Sequence, residues 1–499
     1  APLVNYTNTG GAALNIDLAD GEDTLVVVGN ALAQTFDVDV ANSTVSVDDV
    51  PLGSNNGVVT YENNESLAVF GLEGNDRFDV TPGDIPVFVD GGDPIGVTPG
   101  DEIVIHAGGA GVAFEPGPEN DEGGFLVDGN ARVSFDHIEG GIVVDAACVL
   151  VVGTNADDDI TVVARSEQAN PAQFVGADGV QDFTTSVNDS IQILWIDVAN
   201  LYIDALSGDD DIVVRTEAPN GADWDVHVRI VGGPPSAVTG DQGDVVEVET
   251  PGLDSAFYTP TGSETGELLL DTDGDGVYTS ASTDTLIEIV SQFLIDCDGD
   301  EIVEYRSSEG GVEQLIYEGE SAIDDLTVVL PAAQVGNMVD FEFNSFDFTG
   351  SVSVNSDGQQ LLTIDFENIA YGGGANSITI DGTAGGADTL FYGGRDEVDQ
   401  IGVDASGRIT NLPLALPLDT PGIEDLVLLG RDGNDVFDIA SDHPFNSIIV
   451  TGDGPDAGAS ADSNGDIVFV RGATGRAETI TVLPNPWIDS ETYIQGTGV

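Results

Sequence analysis

The chain has 499 residues, 90 of them acidic and 11 basic, for a formal charge of −79. Every basic side chain is Arg. So large a negative charge excludes nucleic acid and anionic membrane surfaces as partners, because both are held through cations that displace counterions. Yet 41% of the residues are hydrophobic, so the chain is not a disordered acidic tail.

The sequence opens Ala1-Pro2 and its single Met is Met338, which reads as a mature N-terminus left by signal-peptide removal. No run of about 18 apolar residues occurs, so no membrane insertion is expected. The expected setting is secreted, extracellular or cell-surface. Two cysteines, Cys148 and Cys297, are too few for a disulfide framework; two separate thiols and a single bridge are both open. The sequons at Asn5, Asn42, Asn64 and Asn188 are candidate glycan sites.

In chain order, short runs rich in Val, Ile, Thr and Phe alternate with turns rich in Gly, Asp and Asn. Examples are Thr24–Val28, Val87–Val89, Glu102–Ile105 and Ile448–Val450. Helical periodicity is nearly absent; Asp284–Leu294 is the best candidate and reads equally as a strand. The fold class is all-β.

A motif Gly-x-Asp-x-apolar-x-apolar recurs at Gly74–Val80, Gly208–Val214 and Gly433–Ile439. Sister motifs centre on Asp23, Asp158 and Asp388, with a further pair at Asp324 and Asn376. The order strand, Gly-rich turn, Gly-Asp-x-apolar strand repeats after Asp76, Asp210 and Asp435. Four diverged repeats follow: 1–142, 143–313 with an acidic insertion near 270–305, a short one over 314–372, and 373–499. Such repeats bury their apolar faces by stacking on neighbours. An elongated tandem-repeat protein with β-solenoid-like rungs is expected; a string of β-sandwich domains is the alternative.

The turns suggest a cation. Gly frees the backbone to present carbonyls, and Asp adds carboxylate oxygens beside them, the hard ligands Ca²⁺ prefers. The motif resembles the haemolysin-type (RTX) calcium repeats of secreted bacterial surface proteins, although the nonapeptides are not in tandem. The resemblance implies Ca²⁺ held by Asp76, Asp210 and Asp435. The insertion is denser: Asp271, Asp273 and Asp275 alternate before Gly276, the spacing of an EF-hand-type loop, and Asp296, Asp298 and Asp300 form a second copy. A Glu at the twelfth position and flanking helices are missing from both. A high-salt habitat is a rival account of the acidity.

No catalytic signature is found, and His106, His137, His227 and His443 stand in four unrelated contexts, so no enzyme is expected. Tyr6, Trp195, Trp224 and Trp487 are candidates for stacking on sugars, with burial in the core the commoner role of such residues. Terminal segments that read as strands, Ala12–Leu18 and Ala477–Leu483, leave open β edges. The expectation is a calcium-binding structural protein that self-assembles through terminal β-strands into a homopolymeric fibre or surface array, as in a biofilm matrix. A non-polymeric adhesin or carbohydrate-binding module is the alternative.

Overall fold

The computed structural model describes residues 14–18, 21–49, 54–96, 100–166, 181–216, 218, 223–234, 243–250, 255–271, 284–295, 297, 305–319, 324–343, 349–369, 377–412, 416–431, 433–452 and 466–472, with the backbone of 480–484 and 491–496. Among these residues there is no helix, and the strands fall into two large sheets. The protein is all-β. The segment proposed as helix or strand near Asp284 is the strand Thr285–Ile289.

The chain divides into two compact units, Ala1–Asp244 with Ser291–Gly310, and Val245–Val290 with Gly311–Val499. The first boundary falls inside the expected 143–313 repeat, and the insertion is shared between the units.

In the first unit, Gln34–Asp39, Arg77–Thr81, Glu102–His106, Gly140–Val144 and Gln192–Trp195 pair in parallel, each strand with the next. A second ladder runs Thr24–Val28, Ser66–Glu73, Val87–Asp93, Val133–Asp136, also parallel. It turns antiparallel through Gly123–Val127 and continues in parallel from Val112–Pro116 through Val149–Val152 and Asn200–Asp204 to His227–Val231. Successive strands of the chain mostly alternate between the ladders. Consecutive strands of a ladder are thus far apart in sequence, and a crossover through the other ladder makes parallel pairing attainable.

Alternation explains why these segments are strands. In Arg77–Thr81, Phe78 and Val80 are buried and Arg77, Asp79 and Thr81 point outward. Parallel register then stacks like on like: the Phe36 and Phe78 rings lie 4.8 Å apart at 13°. The two ladders of this unit share one core, since Phe125 of the second meets Trp195 of the first edge-on at 6.5 Å. Trp195 and Trp224 are fully buried, so neither offers a face to a sugar; Tyr6 and Trp487 lie outside the described residues.

The second unit repeats the scheme. One ladder contains Asn337–Phe343, Thr389–Gly393, Asp425–Leu429 and Ser447–Thr451. The other ends Gln400–Val403, Val436–Ala440, Ile467–Arg471. Strands Val245–Thr250, Gln314–Gly319 and Ile364–Glu367 form a further parallel stretch.

Candidate metal centre and the carboxylate ladder

The recurring aspartates are interior groups. Asp76 is 1% exposed, and Asp210 and Asp435 are 0%. At the head of the strands that carry the motif, the Asp uses one carboxylate oxygen to accept the backbone N–H of its counterpart one strand earlier in the ladder. Gln34 N–H donates to Asp76 Oδ1 (2.7 Å), Asp76 N–H to Asp101 Oδ1 (2.6 Å), and Asp101 N–H to Glu139 Oε2 (2.7 Å). The series Asp158, Asp210, Asp244 repeats this at 2.8 and 2.9 Å, and Asp399, Asp435, Asp466 does so at 2.8 and 2.9 Å. Asn337 N–H donates to Asp388 Oδ1, and Asp388 N–H to Glu424. The partner that no adjacent stretch of sequence supplied is thus the same motif one strand away.

The second oxygen sits against glycine. A Cβ on Gly71 would overlap Asp76 Oδ2 and lie 2.6 Å from the Gly91 carbonyl oxygen, so only Gly lets strand and carboxylate approach this closely. Oδ2 of Asp76, Asp101, Asp210, Asp388 and Asp435 is buried with no hydrogen-bond partner among the described residues. Burial without compensating donors disfavours the ionised form. It pushes Asp76 up to about 6, Asp101 and Asp435 to about 7 and Asp210 to about 8. Neighbouring acids add a smaller push in the last three.

The other expected ligands are mostly outside the described residues: Asp273, Asp275, Asp296, Asp298 and Asp300. Asp271 is described, 4% exposed, at the end of Gly266–Asp271. Cys297, beside the second acidic loop, is joined to Cys148 in a disulfide, which selects the single bridge from the two readings of the cysteines. The same excursion is held at Asp204, which accepts from the Tyr305 hydroxyl, the Ser308 N–H and the Ser308 hydroxyl.

Among the sequons, Asn42 is exposed in a turn with its amide on Asp39 (2.6 Å). Asn64 is 9% exposed and donates to the Ser66 carbonyl, and Asn188 donates to Asp158. Asn5 is outside the described residues. His106 lies 3.5 Å from Asp79 and His137 3.0 Å from Asp90, each as a partner to an acid on the strand surface.

The cluster best suited to a cation was missed from sequence. One carboxylate oxygen from each of Glu247, Glu249 and Glu318 lies within 4.8 Å of the others, all partly exposed. Val246 and Val248 point inward, so Glu247 and Glu249 share the outer face of Val245–Thr250. Parallel register sets Glu249 beside Glu318, and Glu318 beside Glu367. Asn368 donates to Glu318 at 2.7 Å. Glu247 is pushed up to about 7, first by burial, then by a hydrogen bond and repulsion from Glu318, then by Glu249 and Glu367. The charges that act on it most are all carboxylates. The first unit differs: there Arg77 bridges Asp79 and Glu102 on the corresponding outer face. Three convergent carboxylates, completed by water, suit a hard divalent cation. The signal in sequence was the alternation Glu247-Val248-Glu249, but Glu318 arrives only through the fold.

Among the described residues no helix is long and apolar enough to cross a membrane. Compared with known proteins, the chain matches no family model and no curated sequence.

Proposed function

We propose that this protein is a secreted structural scaffold that binds Ca²⁺ and polymerises end to end into an extracellular fibre or array. The observation that carries the reading is the state of the ladder ends. Thr24–Val28 pairs only with Ser66–Glu73, and Ile467–Arg471 only with Val436–Ala440, among the described strands. Both end strands expose apolar side chains: Val26 (52%) and Val28 (56%) at one, Phe469 (51%) at the other. Open parallel edges with apolar faces are templates for another chain.

In-register parallel pairing in both units supports winding as solenoid-like rungs over a string of sandwiches, whose sheets are antiparallel. A disulfide supports an oxidising, extracellular setting. Ca²⁺ at Glu247, Glu249 and Glu318, and in the loops carrying Asp271, Asp273, Asp275, Asp296, Asp298 and Asp300, would offset the self-repulsion of a chain at −79. Electron microscopy of the purified protein, with Ca²⁺ and with excess chelator, tests the reading. Fibres or lattices that loosen in chelator are expected; isolated particles under both conditions would refute it.

A further inference from the structure

The carboxylate stacks have a direction. In these steps the backbone N–H belongs to the earlier strand and the carboxylate to the later one: Asp23 to Glu65, Gln34 to Asp76 to Asp101, Asp158 to Asp210, Asn337 to Asp388, Asp399 to Asp435 to Asp466; the flanking contacts of Ser377 N–H with Asp325 and of Asp209 N–H with Asp157 run the other way. A directional stack has unlike ends. At the late end, Asp466 accepts from Asp435, and its own N–H meets no acceptor among the described residues. At the early end, Asp23 donates its N–H to Glu65 at 2.6 Å, and no described residue donates to its carboxylate. Asp23 directly precedes Thr24–Val28, as Asp466 directly precedes Ile467–Arg471. Among the described residues one end lacks an acceptor and the other lacks a donor, at the same place in the strand.

The flanking side chains match in the same register. Inward residues at the early edge are Leu25 and Val27, which pair with Leu67 and Val69. At the late edge they are Val468 and Val470, which pair with Phe437 and Ile439. Val468 is 37% exposed although it faces inward, so the core is unfinished there. Setting Asp466 on Asp23 places Val468 over Leu25, Val470 over Val27 and Phe469 beside Val26. Phe469 then extends an outer apolar row that already runs Val26, Ala68, Phe88.

From this we infer that the polymer contact is a parallel β pairing of Ile467–Arg471 of one copy with Thr24–Val28 of the next, started by the Asp466 N–H donating to the Asp23 carboxylate. The inference rests on the polymer reading above and fixes its strands, register and polarity. Head-to-head pairing is excluded by it, since two donor ends or two acceptor ends do not bond. The occupant of each edge is a second copy of this chain, because that chain carries the complementary end.

The test is a cross-link between two singly substituted full-length chains, Val26→Cys and Phe469→Cys, mixed under mild oxidation with the Cys148–Cys297 bridge intact. A covalent dimer joined between positions 26 and 469 is expected from the mixture, and covalent ladders from the chain carrying both changes. Replacing Val26→Cys by Val335→Cys, which is exposed and belongs to neither end strand, should abolish it. Phe469→Asp should abolish assembly in micrographs without moving the melting temperature of single molecules. Fibres without the 26–469 cross-link would overturn this interface and leave polymerisation standing. Absence of both fibres and cross-link would overturn the two together.

Discussion

The backbone N–H of Asp76 donates to Oδ1 of Asp101 at 2.6 Å, across 25 residues of sequence. The contact makes a buried carboxylate the adhesive between strands. One oxygen serves the ladder and the other is left buried against glycine. Gln34 at the start of this stack, and Asn337 in another, fill the same position with an amide.

Gly71→Ala should destabilise the first unit by about 1–3 kcal/mol, as overpacking does, because the new methyl meets Asp76 Oδ2 and the Gly91 carbonyl. Gly140→Ala is the control: a Cβ there meets nothing within 4 Å. Urea denaturation of both variants checks it, and equal effects would count against the close-approach argument.

Asp101→Ala leaves the Asp76 N–H buried without an acceptor, a loss of about 1–3 kcal/mol. Asp101→Asn keeps the acceptor, removes the buried charge and adds a donor. We expect it to match or exceed wild-type stability at pH 8. Thermal melts of the pair separate the two: an Asn variant as weak as the Ala variant would mean that the charge itself is needed.

The buried acids also fix a pH dependence. Unfolded, these carboxyls titrate near 3.8; folded, Asp76, Asp101, Asp435 and Asp210 titrate at about 6 to about 8. In that window the folded state holds more protons, so their contribution is complete at acid pH and lost as pH rises through the folded values. The melting temperature should therefore climb from pH 8 to pH 5, and Asp101→Asn should flatten part of the climb. A profile that falls over that range would show the ladder to be ionised and otherwise compensated.

Cys148 and Cys297 are 149 residues apart, and closing a loop of that length restricts the unfolded chain by about 5 kcal/mol on the chain-entropy account. Cys297→Ser should lower the melting temperature and make the chain next to position 297 more sensitive to limited proteolysis. Asp204 still holds Tyr305 and Ser308, so the cut chain should stay associated. Unchanged cleavage would place the clamp at Asp204 alone.

Glu247→Gln with Glu318→Gln removes the proton-sharing pair from the acidic cluster. Without Ca²⁺ this should raise stability at pH 8, where repulsion is greatest. With Ca²⁺ the wild type should gain stability by mass action and the variant should gain less. Calorimetric titration with Ca²⁺ measures both, and equal heats in the two proteins would remove the cluster from the list of sites.

Much of the strand content was legible because alternation is a local signal: Phe78 and Val80 between Arg77, Asp79 and Thr81 allow only one face to be buried. The Gly-x-Asp spacing was legible too, but its role was not. Read alone, Asp76 is an acid in a turn, and turns are usually wet. Only the fold brings Gln34 and Asp101 to either side of it, 42 and 25 residues away, and only then does the carboxylate become an interior acceptor.

The sequence by itself determined that this chain is a strongly acidic, strand-rich repeat, since charge and two-residue periodicity are carried by neighbours along the backbone. Which strands pair was decided by tertiary structure alone. Parallel register joins residues tens of positions apart through a crossover, and nothing in a local pattern records that distance. The Glu249–Glu318–Glu367 row, the Cys148–Cys297 bridge and the polarity of the carboxylate stacks all belong to that second kind.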